Sequence, residues 1–239
     1  MATALVLSRS ALEQHLRCPL CFYLQRKLGL APPSTIPLTL ASATDALLKN
    51  EYDNVRGTGG NHPLWEREGL RVRAFQHPDF ENWRQNFKGM RVLHQATGAV
   101  ITGAIDDVWQ DVDTGELHIV DYKSTSKQGE PSLEGGFGDS YKRQMEIYQW
   151  LFRQAGHRVS SIGYFLYVNG QKTGLFYEQG TEGRMRFRTS LIPYVGDDGW
   201  VSHAIEDAVA CLASSTQPTP SKDCDNCRYF EQRIALVTG

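Results

Sequence analysis

The sharpest chemistry in this 239-residue chain lies in one stretch, GAIDDVWQDVDTGELHIVDYK, residues 103–123. If the DTG at 113–115 turns a hairpin, residues whose numbers sum to about 227 or 228 stand opposite one another, and Asp106 faces Asp121 or its immediate neighbour. Directly opposed side chains have Cβ atoms roughly 4.5–5.5 Å apart, and like charges so placed repel. A divalent cation gives such a pair a purpose, taking an oxygen from each carboxylate at about 2.0–2.1 Å if it is magnesium. Side chains alternate along a strand, so Lys123 shares a face with Asp121. Two acidic ligands beside an ammonium form a hydrolytic set: the metal lowers the pKa of a bound water, and the lysine orients that water or offsets developing negative charge. The apolar runs AVITGAI and LHIV ahead of the two aspartates mark interior strands, where a charge needs a reason. Asp107 and Asp111 are rival carboxylates, but Asp107 alternates to the other face if Asp106 points into the site.

A second constellation is built from thiols. Cys18 and Cys21 form CPLC, Cys224 and Cys227 form CDNC, and Cys211 stands alone in the apolar AVACLA as a core residue. Five cysteines in this length are too few for a disulfide scaffold. Two CxxC pairs make a four-thiolate set, each pair supplying two corners of a tetrahedron around zinc. Iron–sulfur clusters also take four cysteines, so the spacing leaves the metal open. Either group would clasp the two ends of the chain together in a structural role.

These residues need elements to position them. LSRSALEQHLRCPLCFYLQRKLGL reads as a helix capped by Ser8 or Ser10, with apolar Leu12, Leu16, Leu20 and Leu24, broken or bent at Pro19 and closing at Gly29. APPSTIP is a linker, and a second helix runs from Leu40 to about Arg56, ended by GTGGNHP. Residues 64–90, with Trp83 and Arg84, show no clear period. Strands follow in RVLHQAT, AVITGAIDDVWQDV and ELHIVDYKS, a three-strand meander with turns at TG and DTG. After the Gly-rich KQGEPSLEGGFGD, SYKRQMEIYQWLFRQAG is an amphipathic helix with Tyr141, Gln144, Ile147, Tyr148 and Leu151 on one face. Gln144 and Tyr148 are one turn apart, and Tyr141 is their neighbour. SSIGYFLYV, GLFYE and RMRFRTSLI are strands, DDGWVSHAIEDAVACLASS a last helix, and QPTPSKDCDNCRYF a tail. Arg184, Arg186 and Arg188 fall on one face of their strand and, with Lys142 and Arg143, form a weak candidate path for a phosphate backbone. This order predicts an α/β domain with a mixed sheet flanked by helices.

Composition bounds the alternatives. With 41% hydrophobic and 22% charged residues the chain is globular, which excludes a disordered or fibrous protein. It contains no run of about 18 apolar residues that would span a membrane, and no basic-then-apolar leader, so we expect a cytoplasmic protein. The net charge of −2 lacks the overall basicity of many nucleic-acid binders, yet phosphate contacts need only a local patch.

Taken together, G-x-x-D, an apolar strand ending in D-Y-K and a helix bearing Q-x-x-x-Y resemble the RecB-like branch of the PD-(D/E)XK nuclease superfamily, with Gly103, Asp106, Asp121, Lys123, Gln144 and Tyr148 matching in order. LSRSALEQHLRCPLCFYL is similar to the opening helix of the CRISPR-associated and AddB-like members, and CDNCRYF resembles their terminal cysteine motif. The resemblance implies one nuclease domain over residues 1–239, a restriction-endonuclease-like core with a central mixed twisted sheet flanked by helices, its 1–30 and 215–239 segments joined by the cysteine site. It implies a DNA exonuclease that needs Mg2+ or Mn2+ and prefers single strands. The metal ligands would be Asp106, Asp121 and the backbone carbonyl of Tyr122, with Lys123 placing the attacking water and Gln144 and Tyr148 completing the site. The branch carries a histidine or glutamate ligand on an early helix, four residues after a small residue; here Asp45 follows Ala41. Its members bind a 4Fe–4S cluster with one early and three late cysteines, whereas this chain has two and two, so a 4Fe–4S cluster and zinc both stand. DNA is the implied partner, with a helicase or a CRISPR-adaptation protein as associates. The alternative is a catalytically inactive DNA-binding or scaffold module, for which the complete acid–acid–lysine set would have no physical use.

Overall fold

The computed structural model describes residues 4–33, 36, 38–177 and 180–238. Ser34, Thr35 and Pro37 of the predicted linker and Glu178 of GLFYE lie outside the described residues. The elements run β1 (Val6–Ser8), α1 (Arg9–Arg17), α2 (Pro19–Leu28), α3 (Thr39–Thr58), α4 (Pro63–Arg67), β2 (Val72–Ala74), α5 (Phe80–Arg84), β3 (Met90–His94), β4 (Ala99–Gly103), β5 (Asp107–Asp111), β6 (Leu117–Thr125), α6 (Gly138–Gln154), β7 (Ile162–Gly170), β8 (Phe187–Val195), α7 (Val201–Ala213) and α8 (Asp225–Thr238). Two compact units result, one from Met1–Ile36, Arg91–Gly103 and Asp198–Gly239, the other from Pro37–Met90 and Ala104–Asp197.

The first unit holds a three-stranded sheet in the order β1-β4-β3, with β1 parallel to β4. The Ser8 hydroxyl caps α1 by accepting from the Ala11 N–H at 3.2 Å. Of the two forms expected at Pro19 the helix takes the break: Cys18 is extended and Pro19 opens a new helix at the position where its missing N–H is harmless. Gly29 ends α2 at φ 71°, a conformation that glycine adopts without a Cβ clash. The predicted C-terminal tail is instead helical from Asp225, so Cys227 sits in the first turn of α8.

The second unit carries the five-stranded sheet β2-β5-β6-β7-β8, in which only β6 and β7 run parallel. A parallel pair needs a crossover, and α6 supplies it. One sheet face meets α3 and α4 through Leu48, Tyr52, Val55, Leu64 and Trp65, packed with Trp109, Val120, Tyr122, Tyr164 and Leu166. The other meets α6, whose Met145 lies so close to Gly163 of β7 that a Cβ there would fall 2.3 Å from the sulfur.

The predicted meander does not form. AVITGAIDDVWQDV is two strands, β4 and β5, in different sheets. Between them the Ile105 N–H bonds the Trp83 carbonyl at 3.1 Å rather than a neighbouring strand, and Ile105 is buried. The hairpin register holds, however: Asp107 pairs with Val120, a sum of 227. GLFYE is not a strand either; Tyr177 makes a lone bridge to Gly183 within an arm between β7 and β8. Because β8 begins at Phe187, Arg184 and Arg186 belong to this arm, and only Arg188 follows strand alternation. No helix among the described residues is long and apolar enough to cross a membrane.

Candidate active site

Strand alternation on β6 separates Asp121 and Lys123 from Tyr122. Asp121 is fully buried, and its Oδ1 accepts a hydrogen bond from Gln144 Nε2 at 2.7 Å. Its Oδ2 pairs with the Lys123 ammonium. Lys123 Nζ donates to Gln144 Oε1 at 3.4 Å, and Gln144 Nε2 also reaches the Tyr148 hydroxyl oxygen at 3.2 Å. Asp121, Lys123, Gln144 and Tyr148 therefore form one connected group. Tyr141 was legible only as a neighbour; its ring stands 4.4 Å from the Lys123 ammonium, a cation–π contact that fixes the lysine from a third side.

Asp106 lies just outside β5, where the strand ladder has ended. Its Oδ2 replaces a strand carbonyl, accepting the Tyr122 N–H at 2.8 Å. Its Oδ1 is 3.4 Å from Lys49 Nζ, and the same ammonium is 2.9 Å from Asp45 Oδ2, one turn back on α3. Burial, and then the charge of Asp121, push the Asp106 carboxyl up to about 6. Burial works against both ammoniums, yet the carboxylates outweigh it: Asp121 and Asp106 hold Lys123 above the usual lysine range, and Asp106 and Asp45 do the same for Lys49. The family resemblance points to Asp45 but not to Lys49, although the i, i+4 interval between them is plain in the sequence.

A buried charge network fixes this strand end from behind. Asp107 is fully buried; it accepts the Tyr122 hydroxyl at 2.8 Å and the Val108 N–H at 2.8 Å, and pairs with Arg56. Arg84 Nε donates to the Asp106 carbonyl at 3.1 Å, while its Nη1 pairs with Asp53 at 2.7 Å. Burial raises the Asp107 carboxyl, with Arg56 and Arg84 pulling the other way. Removing one member of such a buried pair strands the other charge. Asp107→Ala is therefore expected to cost about 3–5 kcal/mol of stability, read from the urea midpoint at unchanged slope; a midpoint matching the parent chain would contradict this role. Arg84 comes from residues 64–90, where short α4, β2 and α5 left no period to detect. The rival Asp111 is a turn residue, its Oδ1 accepting the N–H groups of Asp113 at 2.9 Å and Thr114 at 2.7 Å.

The donor set suits a hard divalent cation. Asp106 and Asp121 present carboxylate oxygens beside the main chain of Tyr122, a hard all-oxygen donor set. Burial and then the charge of Asp121 raise the Asp106 carboxyl, and a cation bound between the two acids would offset both. Asp45 does not close with these two into a three-carboxylate cluster; Lys49 stands between it and Asp106.

In the first unit the four predicted cysteines converge, with all four Sγ atoms within 4.8 Å of one another. Cys18 Sγ is 3.7 Å from Cys227 Sγ, and Cys21 Sγ is 3.5 Å from Cys224 and 3.6 Å from Cys227. Burial pushes Cys227 up to about 12; for Cys18 the same effect is outweighed by hydrogen bonds from the Cys21 and Ser221 backbone, which bring it down to about 7. Cys211 stays outside the group, its Sγ 3.9 Å from the Pro19 carbonyl.

The candidate phosphate-binding residues are less unified. Lys142 pairs with Glu134 at 3.2 Å and Arg188 with Glu130 at 3.2 Å, while Arg184 and Arg186 are exposed on the arm and Arg143 lies on α6. No curated protein matches the chain. A family model described as the PD-(D/E)XK nuclease superfamily matches residues 39–232, which take in Asp45, Asp106, Asp121, Lys123, Gln144 and Tyr148. With 194 of its 239 residues so matched and its acid–acid–lysine group assembled at one strand end, the chain belongs to the PD-(D/E)XK nuclease superfamily.

Proposed function

We propose that this chain is a divalent-metal-dependent deoxyribonuclease of the RecB-like branch, an exonuclease acting by preference on single strands. The observation that carries the reading is the buried Asp121 carboxylate held between Lys123 and Gln144, with Asp106 charge-coupled to it across the strand end. Asp106, Asp121 and the Tyr122 carbonyl would hold Mg2+ or Mn2+. When bound, the ion would acidify a water and polarise the scissile phosphate. Lys123 orients the nucleophile and offsets charge on the phosphoryl oxygens, its own ammonium kept in place by Gln144 and Tyr141. Gln144 fixes the Asp121 carboxylate through the amide it donates. Exonuclease action is tested on circular against linear single strands of one sequence: the circle is expected to survive while the linear strand is degraded, and cleavage of the circle would refute it.

The single-strand preference draws on the arm between β7 and β8. It springs from Gly170, three residues beyond Tyr167, which is the register partner of Lys123. Phe176 and Tyr177 are 64% and 59% exposed, with rings 5.1 Å apart edge to face. Phe176 lies directly on Gly183, where a Cβ would come within 2.1 Å of the ring, so the aromatic is held by the arm's backbone. Aromatics beside arginines suit unstacked bases and their phosphates, at about 1–3 kcal/mol per stacked base. In an Asp121→Ala background, Phe176→Ala with Tyr177→Ala is expected to weaken single-strand binding about tenfold or more and to leave duplex binding unchanged, by fluorescence anisotropy. Equal loss for both forms would remove the arm as the source of preference.

At the cysteines the separations favour a single zinc ion. Zn–S bonds of about 2.3 Å in a tetrahedron place sulfurs about 3.8 Å apart, close to the 3.5–3.7 Å found for three of the pairs. A four-iron cluster interposes irons and sulfides and holds its thiolates farther apart.

A further inference from the structure

We propose that Lys49 serves as a built-in cation that keeps this nuclease site to one divalent ion. The inference rests on the reading of Asp106 and Asp121 as metal ligands. Two-metal phosphodiester hydrolases hold their ions about 3.5–4 Å apart and share a carboxylate between them. Here the place between Asp106 and Asp45, where a second ion would bridge two carboxylates, is taken by an ammonium: Lys49 Nζ is 3.4 Å from Asp106 Oδ1 and 2.9 Å from Asp45 Oδ2. The side chain is held there, only 24% exposed, and rises from the helix turn after Asp45.

Charge arithmetic agrees with one ion. Asp45, Asp106 and Asp121 bring three negative charges, and Lys49 and Lys123 two positive ones, leaving minus one. One divalent ion makes the site plus one, matched to a single phosphodiester. A second would make it plus three. Asp45 thus acts through Lys49, as the anchor of the ammonium rather than as a direct ligand.

The test is the stoichiometry of Mn2+ bound by the full chain with its cysteine site intact, followed by electron paramagnetic resonance of free and bound ion. The parent chain is expected to bind one Mn2+. Lys49→Met, which keeps the aliphatic stem, is expected to bind two with spin-coupled spectra, the first about tenfold more tightly than in the parent. Lys49→Arg should return to one, and Lys49→Met with Asp45→Asn should lose the second ion. Two ions in the parent, or one ion at unchanged affinity in Lys49→Met, would overturn the proposal while leaving the nuclease reading intact. Absence of any Mn2+ binding by the parent would overturn both.

Discussion

Asp121→Ala is expected to lower Mg2+-dependent DNA cleavage by about 10³-fold or more without unfolding the chain. The side chain is buried, but its removal relieves Asp106 of the nearest like charge and leaves Gln144 its bond to Tyr148. Deleting it removes a repulsion as well as the ion pair to Lys123, whose ammonium keeps Gln144 and the Tyr141 ring, so the loss of stability should be smaller than for Asp107→Ala. The companion substitution separates the roles. Lys123→Ala takes away an ammonium that faces Asp121 and Asp106, so the acids gain affinity for a cation while the attacking water loses its guide. Cleavage should fall by a similar factor, but calorimetric Mn2+ binding should be lost in Asp121→Ala and kept or tightened in Lys123→Ala. Equal metal affinities in the two variants would contradict the division between ligand and positioning residue.

Removing the metal expected at the four cysteines has the second large effect. Structural zinc contributes about 10–16 kcal/mol of apparent binding free energy in small zinc-folded peptides, against a total stability of about 5–15 kcal/mol for an ordinary domain. In this unit the thiols join α2 near the chain start to the first turn of α8, a closure across more than 200 residues of sequence. Cys224→Ser with Cys227→Ser is expected to release α8 and abolish hydrogen-exchange protection there, while amides of β6 and β7 in the other unit keep theirs. Elemental analysis of the anaerobically purified parent should give one zinc per chain and no visible absorption. A brown protein with a band at about 400 nm, iron and sulfide would contradict zinc.

Long periodic elements were legible from residues alone. The amphipathic pattern of α6, the break at Pro19, the Gly29 stop and the 227 register all rest on local rules, and each keeps its place in the structure. What escaped depends on tertiary partners. The run from Ala99 to Val112 has unbroken strand character, and nothing local says that its two halves join different sheets; that follows from Ile105 finding its acceptor at Trp83. α4, β2 and α5 are each five residues or fewer, too short for a period. Arg84, on the short α5, and Arg56, whose partner Asp107 lies 51 residues away, secure the Asp106–Asp107 corner through contacts that no local pattern shows, while hairpin register and strand alternation alone bring Asp106, Asp121 and Lys123 together.

The central claim, that Asp106, Asp121 and Lys123 form a metal-dependent nuclease site, is tested most directly by incubating end-labelled single- and double-stranded DNA with the purified chain. Mg2+ or Mn2+ would be present or omitted, and Asp121→Ala would run in parallel. The account predicts progressive loss of label from single strands, slower attack on duplex, none without metal and none by the variant. Saturable DNA binding without cleavage in either metal, or undiminished cleavage by Asp121→Ala, would contradict it.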